Sequence, residues 1–173
     1  MTRPSESKRP VNRLLAGPYG HPFHPILVTV PIGAWISSLV FDIASRIVDH
    51  PGFLVMGSQW LIGIGVVGAL AAATVGVLDL LAIPSGTVAF RTALLHMGLN
   101  VTITAAFVVN FLWRHGSSGV SAPVDVGPLT LSVLSIAALG VSGFLGGKLA
   151  YRFGVRVAGE ADQADGFRPS SPP

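Results

Sequence analysis

The sequence predicts an all-α fold, a polytopic membrane protein whose four transmembrane helices form a bundle with N and C termini cytoplasmic. Three observations predict it. Half of the 173 residues are hydrophobic, only 11% are charged and the mean hydropathy is +0.65, whereas a soluble domain carries about 25% charged residues to keep its surface solvated. The charges also avoid the middle of the chain: between residues 26 and 150 they are Asp42, Arg46, Asp49, Asp79, Arg91, Arg114, Asp125 and Lys148 alone. Finally, residues 26–48, 59–83, 90–113 and 127–150 each supply the roughly 20 largely apolar residues that a helix needs to cross a bilayer.

The elements follow in order. Residues 1–20 are polar and basic and read as a disordered tail. The apolar run after them is too long for a signal-peptide core and lacks a small-residue cleavage site, so it reads as an uncleaved first span. Pro31 should kink that span near its start, because proline has no N–H to donate. The connections, residues 49–58, 84–89 and 114–126, are short, and the transmembrane domain runs over 21–157. Residues 158–173, with Glu160, Asp162, Asp165 and a Pro/Ser end, read as a second disordered tail. With the N-terminus inside, nine basic residues (Arg3, Lys8, Arg9, Arg13, Arg91, Lys148, Arg152, Arg156 and Arg168) fall on the inner side and only Arg46 and Arg114 outside. That bias sets the orientation, and Trp60, Trp113 and Tyr151 fall where aromatic belts belong. Gly68, Ala72 and Gly76 in the second span, Gly143 and Gly147 in the fourth and Gly33 and Ser37 in the first have the small-xxx-small spacing that lets helices approach in lipid. These faces suit a compact bundle and equally a homodimer.

Several function classes are excluded. There are no cysteines, hence no disulfide, no cysteine-ligated iron–sulfur cluster and no covalent c-type haem. The net charge of +3 sits at the termini; it fits an anionic lipid surface rather than nucleic acid, for which a basic stripe with interleaved aromatics would be needed. The glycines form no phosphate-cradling loop, and neither G-x-S-x-G nor H-E-x-x-H occurs. Whether the chain is an enzyme stays open.

Ionisable groups inside spans are costly and call for an explanation. At about 1.5 Å per residue, His96 lies roughly 9 Å into the third span and Asp79 about 6 Å from the end of the second, while His21 and His24 flank the start of the first. All four share the cytoplasmic side. In His21-Pro22-Phe23-His24-Pro25 each proline holds the histidine before it extended, and Pro25 suits the first helical position, with His24 as N-cap. The structural alternative is a rigid turn that starts a helix. His96, Asn100 and Thr104 form one polar stripe at i, i+4 and i+8, suited either to an interhelical hydrogen-bond network or to a histidine ligand oriented by Asn100 or Asp79. Asp42 lies about 27 Å beyond His24 along the helix and belongs to the opposite side. Arg46, at i+4, is its expected structural ion-pair partner, with Asn110 a candidate to join them.

The run Gly20-His21-Pro22-Phe23-His24-Pro25-Ile26-Leu27-Val28, then Pro31-Ile32-Gly33 and Phe41-Asp42, then Gly76-Val77-Leu78-Asp79, Arg91 with His96 and Asn100, and Gly146-Gly147-Lys148-Leu149-Ala150-Tyr151 resemble a family of bacterial four-helix inner-membrane proteins known as domain of unknown function 2231. The resemblance covers about residues 20–157. It implies a multi-pass protein of the bacterial inner membrane and singles out His21, His24, Asp42, Asp79, His96 and Asn100. Some relatives join this domain to a Rieske iron–sulfur domain, which implies electron transfer; this chain departs from that arrangement, ending in a polar tail with no cysteine.

Three functional readings follow. One is a redox protein holding haem b through His24 or His21 and His96, with Asn100 beside the cofactor, in an electron-transfer role with a redox partner protein. Another is a divalent-metal site of His21, His24, Asp79 and His96. The last is a non-catalytic membrane subunit or scaffold whose buried polar residues only lock helix packing. A transporter is disfavoured, because four spans show neither inverted repeat nor broken-helix pair.

Overall fold

The computed structural model describes residues 23–117, 122–165 and 167. Its helices are α1 (His24–Leu27), α2 (Thr29–Ser45), α3 (Gly52–Leu81), α4 (Val88–Ser117), α5 (Val126–Gly147) and α6 (Glu160–Asp165), with a π-helical turn, Lys148–Arg152, continuing α5. No strand occurs among the described residues. Four stretches are long and apolar enough to cross a membrane: His24–Ser45, Gly52–Leu81, Val88–His115 and Val126–Arg152. Helices are the economical solution there, since lipid offers no partner for a free backbone N–H or C=O.

The first span divides at Val28. Pro31 cannot donate to the Leu27 carbonyl four residues earlier, which removes the hydrogen bond that would carry α1 smoothly into α2. Phe23 caps α1, its carbonyl accepting from Ile26 and Leu27 at 3.0 Å. His24 is therefore the first helical residue, one place later than the expected N-cap. Between α3 and α4 the chain turns through Gly86, at φ 81°, a conformation that costs glycine no Cβ clash. Thr87 Oγ1 then accepts the Phe90 N–H at 3.1 Å and caps α4. Glu160–Asp165 is helical; residues 1–22, and with them His21 and the basic tail, lie outside the described residues, as do 166 and 168–173 of the second tail.

The spans close a ring: α2 packs on α3, α3 on α4, α4 on α5 and α5 back on α2. At mid-height Trp35, Ile62, Ile103 and Phe107 form the core, with Trp35 and Phe107 stacked at 4.2 Å between ring centres and 12° between planes. The expected small-residue packing holds for the second span. A Cβ at Gly65 would strike the Trp35 indole, one at Gly68 would meet Val30 at 2.7 Å, and one at Gly76 would meet His24 at 3.0 Å. Gly33, Gly98, Gly140 and Gly143 have nothing within 4 Å and stand on the outside of the bundle among exposed Ile, Val, Leu and Phe side chains. An apolar outer surface of that extent fits contact with lipid.

Candidate functional site

Polar side chains gather at two levels, part-buried at one and fully buried at the other, on either side of the apolar core. The level nearer the chain termini contains His24 and His96. The His24 Nδ1 is 3.0 Å from the Ala72 carbonyl oxygen, and the His96 Nδ1 is 2.9 Å from the Ser142 carbonyl and 3.1 Å from Ser142 Oγ. A carbonyl can only accept, so each Nδ1 donates a proton to it. Asn100 supports this arrangement on the same helix: its Nδ2 donates to the His96 carbonyl at 2.8 Å and lies 3.2 Å from His96 Nε2. The two rings meet edge to face, with centroids 6.5 Å apart and planes at 81°.

Glycines make the approach possible. Gly76 of α3 lies against the His24 ring edge and Gly146 of α5 against that of His96, where a Cβ would fall 3.0 and 3.2 Å from the imidazole carbons. The first and third spans thus bring together the pair that the sequence singles out, and the second and fourth supply carbonyls and space.

Asp79 lies on the α3 face that carries Ala72 and Gly76, one turn nearer the helix end. It is 2.6 Å from Arg156 Nε, and Arg156 is the residue that supplies its charge partner, where the sequence offers His96. Arg156 arrives by an unusual route. After the π-helical turn the chain folds back through Gly154 at φ 67° and Arg156 at φ 58°, a left-handed backbone that non-glycine residues adopt reluctantly. The Arg156 side chain is only 7% exposed, and its Nη1 and Nη2 are buried without a hydrogen-bond partner. An unmet buried donor costs about 1–3 kcal/mol.

At the opposite level every span contributes to one network. Arg114 of α4 holds Asp42 of α2 with both amino groups, Nη1 to Oδ1 at 2.7 Å and Nη2 to Oδ2 at 2.6 Å. Ser58 of α3 donates to Asp42 Oδ1 at 2.5 Å. Asn110 accepts from Arg114 Nε at 2.7 Å and donates to Ser132 of α5 at 2.9 Å and to the Pro128 carbonyl at 3.0 Å. Asp42, Ser58, Asn110 and Ser132 are fully buried and Arg114 is 3% exposed. The expected Asp42–Arg46 pair is therefore corrected: Asp42 faces the bundle interior, whereas Arg46 lies past the last helical residue, exposed, and donates to the Val124 carbonyl at 2.7 Å. Asn110, expected beside an Asp42–Arg46 pair, meets Arg114 instead.

Arg114, Ser58, Ser132, Ser142 and Arg156 were not anticipated at these sites. Arg114 carried a usable signal, since it follows Asn110 at i+4 and so shares its face; placing the span's end at Trp113 turned it into a loop residue. Serine and arginine near span ends carry no such mark.

Among the described residues, no three or more His, Asp or Glu side chains are gathered as a metal centre would require. Two histidines, His24 and His96, stand together at this level. No curated protein and no solved structure matches the chain, while residues 20–159 match the family described as predicted membrane protein (DUF2231). With four membrane-length helices and a match over most of its length, the chain belongs to the DUF2231 family of predicted membrane proteins.

Proposed function

We propose that this chain is a haem b-binding membrane protein with an electron-transfer role, in which the His24 and His96 imidazoles would hold the group. The observation that carries the reading is the arrangement of the two rings. Each has its Nδ1 held by a backbone carbonyl, the outer interaction that fixes tautomer and orientation in histidine ligands. Their centroids are 6.5 Å apart, close enough for both rings to be offered to one group. The glycines that meet the ring edges, Gly76 and Gly146, suit the close packing of a cofactor between helices. Such a pair satisfies haem, which needs two axial ligands, where a zinc or iron site needs three or four.

Bound haem would supply one-electron transfer through its iron. The chain's own contribution is to hold the two Nε2 atoms in place from separate helices. The Trp35, Ile62, Ile103 and Phe107 layer separates this level from the Asp42–Arg114 network, which favours a site on one side of the bilayer over a polar path across it. The nine-to-two distribution of basic residues supports a bacterial inner-membrane protein with both termini, and hence the histidine level, cytoplasmic. A single haem site then implies a redox partner protein, with the outward-facing Gly140 and Gly143 surface available to it or to a homodimer.

The test is optical. Protein purified in detergent from haem-replete cells should show a Soret band and the spectrum of bis-imidazole haem, and His24→Ala and His96→Ala should each abolish that spectrum. A colourless wild-type preparation that also fails to take up added haem refutes the reading.

The contact between Asn100 Nδ2 and His96 Nε2 favours a second reading, a non-catalytic subunit or scaffold in which the imidazoles only lock the helices. Under it, Asn100→Ala destabilises the bundle and no variant changes a visible spectrum. Under the haem reading, Asn100→Ala keeps the band, because it removes a competitor for the same lone pair.

A further inference from the structure

The fourth span ends on a face that the rest of the bundle leaves uncovered. Phe144, Gly147, Lys148, Tyr151 and Arg152, spaced by three and four residues and so on one side of the helix, line an open groove of about 590 Å³. Gly147 leaves it open: a Cβ there would meet only Tyr151, at 3.9 Å, whereas one at the preceding Gly146 would meet His96. Phe144 and Tyr151 are 73% and 91% exposed. Further into the span the same face continues past Gly143 and Gly140, where an added Cβ has nothing within 4 Å, as a shallow apolar furrow beside the exposed Val141.

Two cations stand at the other end of the groove. Lys148 Nζ lies 5.6 Å from the centre of the Phe153 ring, a contact that places an ammonium without neutralising it, and Arg152 is exposed. The ion pairs among the described residues, Asp42–Arg114 and Asp79–Arg156, are elsewhere, so neither cation meets a carboxylate. Both belong to the π-helical turn Lys148–Arg152, closed by the Phe153 N–H donating to the Lys148 carbonyl at 3.1 Å; such turns are rare and recur at functional sites. Arg152 is also the last residue of the span, which puts the cations at headgroup depth, with Tyr151 where amphipathic rings gather, and the furrow at the depth of the hydrocarbon. A water-soluble anion would use the cations and leave the apolar wall bare. A second copy of the chain, meeting this end of the face about a two-fold axis, would set Lys148 and Arg152 against their own counterparts, and like charges across an interface are costly.

We infer that this groove binds an anionic phospholipid, its headgroup held by Lys148 and Arg152 and an acyl chain lying over Gly147 and Gly143 against Phe144. Basic clefts at the ends of spans take acidic headgroups through this charge attraction. The site is on the outer face of the fourth span and does not depend on the histidine pair.

The test compares two lipids that differ in headgroup charge. The full-length chain, stripped of lipid in detergent, is titrated with phosphatidylglycerol and with phosphatidylcholine of the same acyl chains, and binding is read by native mass spectrometry. Attraction to two cations should make phosphatidylglycerol bind about 10- to 30-fold more tightly. In Lys148→Gln/Arg152→Gln that preference should fall close to one; should the double variant not fold, Arg152→Gln alone should lower it about threefold or more. Arg91→Gln, which removes another exposed arginine at the same end of the bundle, should leave the preference as it is. Gly147→Leu keeps both cations but fills the groove, and should weaken both lipids together. Equal binding of the two lipids by the wild type overturns the inference, as does an undiminished preference in the cation variant that folds. An Arg91→Gln loss as large as that of the double variant would mean diffuse surface charge, and an unaffected Gly147→Leu would mean that the groove is not used; either overturns the site. Displacement of the lipid by millimolar glycerol phosphate would identify a water-soluble ligand and overturn it too.

Discussion

Removing one partner of the Asp42–Arg114 pair should be far more damaging than removing both. Arg114→Met takes away five hydrogen bonds at 2.6–3.3 Å to Asp42, Asn110, Ser58 and Ser132 and leaves a carboxylate with no exposed surface and only serine hydroxyls for partners. Breaking a buried pair in this way costs about 3–5 kcal/mol, because the remaining charge is uncompensated. The double variant Asp42→Leu/Arg114→Met removes both charges. Ser58 Oγ is then free to donate to the Ser38 carbonyl 3.1 Å away, and Asn110 Nδ2 still reaches Pro128 and Ser132, so that Asn110 Oδ1 alone loses its donor. Its cost should therefore fall to about 0–2 kcal/mol, since apolar replacement of a whole pair is often close to neutral. Equilibrium unfolding in mixed micelles titrated with sodium dodecyl sulfate gives the four stabilities of the cycle, and the coupling energy follows by difference. Additive costs, or an Arg114→Met variant within about 1 kcal/mol of wild type, would show that the network does not tie the four spans together.

Two further outcomes are expected from the same assay. Gly65→Ala should destabilise by about 1–3 kcal/mol through overpacking, because the new Cβ collides with the Trp35 indole, whereas Gly143→Ala, with nothing within 4 Å, should stay within about 0.5 kcal/mol of wild type. Equal effects at the two positions would contradict the inner and outer faces assigned to α3 and α5. Arg46→Gln removes only the bond to the Val124 carbonyl and should cost about 1 kcal/mol or less; a loss as large as that of Arg114→Met would restore Arg46 as the ionic partner of Asp42.

The spans were legible because their signal is additive. Twenty or so apolar residues cannot be hidden by local detail, and all four runs became helices with ends shifted by a few residues. The close packing of Gly68 and Gly76 against the first span was legible for a related reason, since spacing along one helix decides which residues share its face. His24 and His96 were matched by depth alone, which needs only the rise per residue and alternating helix direction.

What depth cannot give is the angle around each helix axis, and there the tertiary structure decided. Asp42 and Arg46 share a face by number, yet the helix ends at Ser45, and Arg46 leaves that face while Arg114, 72 residues further on, fills the place beside Asp42. Likewise Asp79 could have turned to His96; a fold-back through two left-handed residues brought Arg156 instead. The sequence by itself determined how many helices cross the bilayer and which polar residues stand at equal height, because hydropathy and rise are properties of a single helix. Which of those residues touch was decided only by packing, because a contact depends on the rotation of two helices relative to each other and on the path of the chain between them.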